Sequence, residues 1–416
     1  MPARRLAARW VLPIAGPPVE CGAVLLGPDG RVEAVGPDAA VPRPPDVPGE
    51  DFAGGILLPG LVNTHTHLEL TGFDLGPPEP DFGDWIGRVR AIKETRSAEE
   101  FLAAARLGLA DCYATGVTTV ADTGDSGSVI RAMAEAGASG TAYQEVFGPH
   151  PAQMAESLAG LRARAEALGR FAGGRVRLGL SPHAPHTVSG PLYAAVAEWA
   201  AGDGLPLAVH LAESRAESEL LENGSGRFAE AWRRREIPIP GGPGRSPVQW
   251  LDQYGVLGER TLCIHVVQAG SADLRRLAHR GCAVAHCPLS NAAHGHGTAP
   301  LAGFLRHGLR VGLGTDSVLS VSRLDLLAEA RAARALAGLD AGSALALCTL
   351  GGAAALGLDG EIGSLEVGKW GDCVVLRSSA AAAGSPTERA LESGRDDVIA
   401  TFVGGRDVYR AEPVRS

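Results

Sequence analysis

The 416-residue sequence predicts an α/β fold, a (β/α)8 TIM-type barrel with a small β-sandwich domain built from both chain termini. Three observations carry that prediction. Eight short β-like runs alternate with helix-compatible segments over about 300 residues, the repeat of a closed parallel barrel. Both chain ends carry short apolar runs cut by turns, and neither end holds enough strands to bury a sheet face alone. At 45% hydrophobic residues the chain is too apolar to be disordered, and its length accommodates one large barrel plus a companion or two to three average domains.

Taken in order, residues 9–12, 22–26 and 31–36 read as small strands, the last two joined by the turn Gly27-Pro28-Asp29-Gly30. Residues 371–376 and 398–403 repeat the pattern at the other end. Residues 1–58 and 363–416 are therefore assigned to one β-domain whose strands pair across the termini, and residues 59–362 to the barrel. The eight barrel runs are residues 56–58, 118–120, 140–143, 177–180, 206–209, 262–264, 283–285 and 311–313. Helix-compatible spacing fills the gaps at 98–114, 128–137, 151–168, 191–201 and 324–337. A doubly wound sheet is the alternative, but no dinucleotide glycine fingerprint follows the first run.

Composition narrows the function. Lys plus Arg number 38 against 47 Asp plus Glu, a net charge of −9, so no basic field exists to hold a nucleic-acid backbone and a small-molecule substrate is expected. The seven Cys are odd in number, form no CxxC pair and sit mostly in apolar runs, which predicts buried free thiols in a reducing, cytoplasmic compartment. Arg4-Arg5-Leu6-Ala7-Ala8 resembles an export signal, but Arg9 and Pro13 interrupt the apolar run. No segment approaches the roughly 20 apolar residues of a spanning helix, so no membrane partner is expected. Homo-oligomerisation is left open.

In a barrel enzyme the site lies at the C-terminal ends of the strands. The first run leads into Asn63-Thr64-His65-Thr66-His67-Leu68-Glu69, the fifth into His210-Leu211-Ala212-Glu213, the sixth into His265, and the eighth into Gly314-Thr315-Asp316. His65 and His67, two apart in an extended segment, point the same way. Imidazole and carboxylate donors suit a borderline divalent ion such as zinc, and an incomplete protein shell leaves a position for water. One strand-end histidine is an ordinary packing residue. Four strands ending alike are not expected by chance.

These residues make the sequence resemble the amidohydrolase superfamily, in its branch of amino-heterocycle deaminases and chlorohydrolases. Further matching segments are Ser181-Pro182-His183-Ala184-Pro185, His286-Cys287-Pro288-Leu289-Ser290-Asn291 and Gly363-Ser364-Leu365-Glu366-Val367-Gly368-Lys369, so the resemblance spans nearly the whole chain. It implies one divalent metal, zinc first with iron or manganese as alternatives, held by His65, His67, His210 and Asp316. His265 would hydrogen-bond the activated water or the substrate, and His183 would touch the substrate. The fourth strand is followed by His183 and by no bridging lysine, which implies a mononuclear site.

The resemblance also implies a mechanism. Asp316 would take the proton of the attacking water and Glu213 would carry it to a ring nitrogen. Chlorohydrolases often lack the glutamate of the His-x-x-Glu element, since a halide leaves without a proton; Glu213 therefore favours deamination over chloride removal or another cyclic C–N hydrolysis. The competing reading of Glu213 is a solvated residue of an acidic loop, since Glu217, Glu219 and Glu222 follow closely, but only Glu213 has the ligand-linked spacing. Trp85, in the Phe82-Gly83-Asp84-Trp85 loop, would stack on a ring or anchor the loop. His294-Gly295-His296-Gly297 reads as a substrate-side loop, and Arg233-Arg234-Arg235 as a solvated face. Glu69 directly after Leu68, and the His294 loop, resemble 6-aminodeoxyfutalosine deaminases of menaquinone synthesis; S-adenosylhomocysteine/methylthioadenosine deaminase is the alternative. Glu69 would bind ribose or steady the ligand histidines.

Overall fold

A computed structural model describes residues 2–76, 81–239, 244–378 and 384–412. The chain divides into two compact units, one of Met1–Thr64, Leu109–Val120 and Leu324–Ser416, the other of His65–Gly108 and Ala121–Arg323.

The first unit carries a mixed seven-stranded sheet in the order Arg406–Arg410, Val398–Val403, Cys373–Arg377, Gly49–Pro59, Arg4–Val11, Val19–Leu26, Val32–Pro37. The termini pair directly: Cys373–Arg377 runs antiparallel to Gly49–Pro59, with Val375 opposite Leu57. Leu6, Val24, Leu57, Val375 and Phe402 form the core of the sheet, which no single terminus could have supplied.

The second sheet has eight strands in consecutive order: β1 (Leu61–Thr66), β2 (Val117–Gly124), β3 (Ser139–Val146), β4 (Val176–Pro182), β5 (Leu207–Leu211), β6 (Thr261–His265), β7 (Ala283–His286) and β8 (Arg310–Leu313). Neighbours are parallel, as where Val209 of β5 faces Cys263 of β6. The first and last strands meet through a parallel bridge between Thr66 and Asp316. There the N–H groups of Thr315 and Asp316 both donate to the His65 carbonyl at 3.0 Å. This is the (β/α)8 barrel the alternation predicts.

The first barrel strand needs a correction. Residues 56–58 belong to Gly49–Pro59 of the terminal sheet, and the barrel starts at Leu61. Both runs are short, apolar and buried, so periodicity alone cannot say which sheet each joins. The chain changes sheets at Pro59-Gly60: Pro59 has no N–H to offer a ladder, and a Cβ on Gly60 would lie 2.1 Å from Thr118. His65 is consequently inside β1, with His67 one residue beyond it.

The expected helices are present as Ala98–Ala114, Ser128–Ala136, Met154–Gly169, Gly190–Asp203 and Leu326–Ala337. Residues 151–153 instead form a separate short 3-10 turn. Phe82 to Trp85 is also not loop. It is the first turn of the helix Phe82–Glu94, begun by Asp81, whose carboxylate accepts from the N–H groups of Gly83 and Asp84. None of the seven cysteines is in a disulfide; six are buried and Cys21 is exposed. Among the described residues no helix is long and apolar enough to cross a membrane.

Candidate active site

The strand ends bring the predicted metal ligands together. Asp316 Oδ1 lies 3.5 Å from both His65 Nε2 and His67 Nε2. The His65 ring stands nearly perpendicular to those of His67 and His210, at centroid distances of 4.8 and 4.9 Å. Ligand atoms of His65, His67 and Asp316 lie within 4.8 Å of one another, as do those of His65, His210 and His265.

This donor set fits a divalent ion. Two ligands about 2.0–2.1 Å from a tetrahedral ion are roughly 3.4 Å apart, close to the observed nitrogen–oxygen separations. His67 Nδ1 lies 2.7 Å from the Thr123 carbonyl and His210 Nδ1 lies 3.2 Å from that of His183, which turns each Nε2 inward. Burial pushes the His65 pKa down to about 4, and pushes His67 and His210 down as well, so the rings are neutral and keep a lone pair. For Asp316 burial alone would raise the pKa, but the His65 hydrogen bond and adjacent imidazoles hold it well below the usual range.

The backbone at the same ends is strained. Ala212, His265, Val266 and Asp316 all have φ between 49° and 70°, a region that non-glycine residues seldom enter. These turns aim His265 and Asp316 inward from strands that would otherwise carry them past the mouth. Asp316 is further fixed by the Ser290 hydroxyl at 2.5 Å and the Ser317 N–H at 2.7 Å. Asn291 Oδ1 lies 2.9 Å from His265 Nδ1.

Glu213 meets this cluster from β5. Its Oε1 lies 3.5 Å from His265 Nε2 and 3.4 Å from His296 Nε2. Burial would raise its pKa, but the two histidines outweigh burial and hold it ionised. The His294 loop thus faces Glu213, and neither His294 nor His296 joins a group of three potential metal ligands among the described residues. His183 follows β4 directly. The Thr187 hydroxyl donates to the Ala184 carbonyl at 3.0 Å, leaving its oxygen to accept from His183 Nδ1–H at 2.8 Å. That leaves His183 Nε2 as an acceptor.

A cavity of about 730 Å³ opens over the cluster, lined by His67, His210, Glu213, His265 and Asp316 at its base and by Phe82, Trp85, Ile86, Val89, Phe147 and Pro149 on its walls. Trp85 packs with Leu70, Leu75 and Leu319 while its ring meets His294 edge-on at 4.4 Å. Glu69 does not line this cavity. Its buried carboxylate accepts from Lys93 Nζ at 2.7 Å and from the Ser126 N–H at 3.2 Å, and none of these hydrogen bonds reaches a ligand histidine.

Several residues of the site escaped the sequence reading. Ser290 and Asn291 were visible as a motif but without a role. Glu145, next to last in the third barrel strand, is buried, with no hydrogen-bond partner for Oε1 among the described residues and a pKa raised by burial; together with His183 and His210 it forms another group of close ligand atoms. Reading two residues beyond 140–143 would have found it. Glu217 is fully buried rather than solvated: it accepts the Ala212 N–H at 2.7 Å and holds the strained turn that carries Glu213.

Comparison with known proteins places this geometry. A profile of the amidohydrolase family matches residues 56–408. A 5-methylthioadenosine/S-adenosylhomocysteine deaminase of Moorella thermoacetica is 33% identical over 377 residues, covering 88% of this chain and 83% of the relative. An aminodeoxyfutalosine deaminase of Deinococcus radiodurans is 36% identical over 328 residues, covering 75% and 77%. The crystal structure of an adenosine deaminase from Xanthomonas campestris with bound zinc superposes with a TM-score of 0.84 at 26% identity, covering 97% of this chain and 92% of that one.

Proposed function

The chain belongs to the amidohydrolase family and is a hydrolase acting on a carbon–nitrogen bond, and from that premise we propose that it deaminates an adenine nucleoside, with 6-aminodeoxyfutalosine of menaquinone synthesis as the substrate. S-adenosylhomocysteine or methylthioadenosine is the second reading, favoured by the Moorella thermoacetica relative. The observation that carries deamination is Glu213, three residues after His210, ionised and 3.5 Å from His265 at the floor of a cavity whose walls are apolar and aromatic.

His65, His67, His210 and Asp316 would hold a single divalent ion, with zinc preferred because the Xanthomonas campestris structure contains it. When bound, such an ion lowers the pKa of water to about 7 and so supplies a nucleophile at neutral pH. Asp316 accepts the proton of the attacking water. Glu213, ionised at rest, carries that proton to a ring nitrogen; the second proton of the water, released as the attacked carbon becomes a carbonyl, passes through the same carboxylates to the departing amine, which, unlike a halide, needs it to leave. His265, with Nδ1 tied to Asn291 and Nε2 facing Glu213 at 3.5 Å, stabilises the oxygen that develops at the attacked carbon. His183 offers its Nε2 to the substrate, and the Phe82–Glu94 helix presents Trp85 and Phe82 as an apolar wall that excludes water.

An ammonia-release assay over adenosine, methylthioadenosine, S-adenosylhomocysteine, 6-aminodeoxyfutalosine, guanine and cytosine tests the reading. The highest kcat/KM is expected with 6-aminodeoxyfutalosine. A preference for guanine or cytosine would overturn the nucleoside assignment.

A further inference from the structure

The cavity holds three basic side chains in its lining, and two of them are already neutralised. Arg90 Nε pairs with Glu94 Oε1 at 2.8 Å, and Lys93 Nζ pairs with Glu69 and Asp125. Arg235 lines the same cavity and has no carboxylate partner among the described residues.

Its position is fixed by the fold. Arg235 caps the helix Gly226–Arg234, which is locked beside the cavity by Phe228, stacked on His186 at 4.2 Å, and by Trp232 Nε1–H, which donates to the His186 carbonyl at 2.9 Å. Just past Arg235 the helix closes with paired hydrogen bonds: the Glu236 N–H donates to Arg233 O and the Ile237 N–H to Trp232 O, at 3.1 and 2.9 Å. Glu236 occupies the left-handed position of this closure with φ 56°, where glycine is usual, and Ile237 is buried behind it. Arg235 is exposed, as the sequence pattern of a solvated face predicts, and this closed helix end places it in the lining of the cavity.

The cavity also exceeds the needs of its floor. At about 730 Å³ it lies in the upper part of the roughly 300–1,000 Å³ range of small-molecule sites, and Phe147 and Pro149 extend the apolar wall. A planar guanidinium beyond an apolar wall matches a carboxylate carried on an apolar arm. We propose that Arg235 anchors a carboxylate on the 5′-substituent of the substrate, so that the preferred class is an adenine nucleoside with an anionic 5′-arm. This rests on the nucleoside-deaminase reading and names the group that its substrate carries.

The test compares matched substrates that differ only in the charge of the arm: 6-aminodeoxyfutalosine, whose arm ends in a benzoate, and its methyl ester. Deamination by the metal-loaded wild type and by Arg235→Gln is measured as kcat and KM for each. The acid is expected to lose about 10- to 100-fold in kcat/KM, mostly through KM, and the acid-to-ester preference to fall at least tenfold. Arg235→Lys restores part of that preference. An equal loss on acid and ester, or an unchanged preference, overturns the anchor while leaving the deaminase reading intact. Failure of the wild type to release ammonia from either compound, or from any nucleoside of the panel, overturns both.

Discussion

His265 and Glu213, from adjacent barrel strands, face each other with Nε2 and Oε1 3.5 Å apart, and the far side of the His265 ring is held by Asn291 Oδ1 at 2.9 Å from Nδ1. The pair stands just beyond hydrogen-bond length, and Asn291 fixes which edge of the ring faces Glu213. Replacing Asn291 by Ala removes that control without touching a metal ligand. Activity is expected to fall about 10- to 100-fold, as is typical when a ring-orienting partner is lost, with metal content per chain unchanged. Steady-state kinetics with metal analysis on the same preparation checks both parts.

Gly314 sits against the first ligand strand. A Cβ there would lie 2.8 Å from the His65 backbone nitrogen and Cβ and 3.0 Å from Cys287 Sγ. Gly314→Ala should therefore cost about 1–3 kcal/mol of stability by overpacking, and the push on His65 should weaken metal retention. Thermal unfolding and metal content after dialysis against a chelator read the two effects separately. Wild-type values for both would show that the strand gives way freely.

Lys93 ties the Phe82–Glu94 helix to Glu69, whose carboxylate is 1% exposed. Lys93→Met would strand that carboxylate among the Ser126 and Asp125 donors. A loss of about 3 kcal/mol is expected, at the low end for breaking a buried pair because Lys93 keeps one-fifth of its side chain exposed. Adding Glu69→Gln should return more than half of it. Denaturant unfolding of the single and double variants measures this, and additive losses would deny the coupling.

Much of this site could be read from the sequence because a barrel converts chain position into place. His65, His67, His210, His265 and Asp316 follow strand-like runs, and strand ends of a barrel share one mouth, so their convergence follows from topology. What remained hidden depends on contacts between distant segments. That Ser290 holds Asp316 and Asn291 holds His265 requires knowing how the short helix Pro288–Ala293 after β7 packs on the ends of β6 and β8. Arg235 is exposed, as its basic helix-end pattern predicts, but that it also lines the cavity depends on the docking of Trp232 on His186. The run at residues 56–58 went to the wrong sheet for a similar reason: apolar strands of two adjoining sheets carry the same signal, and pairing partners decide.

In the proposed reaction Glu213 moves the proton that lets an amine leave. The direct measurement is ammonia release from 6-aminodeoxyfutalosine by zinc-loaded wild type and Glu213→Gln, with zinc per chain determined for each. One zinc in both proteins is expected, with a fall in turnover of about 10²- to 10⁴-fold in the variant, the usual worth of a positioned acid–base group. Full turnover by Glu213→Gln at equal zinc content would contradict it.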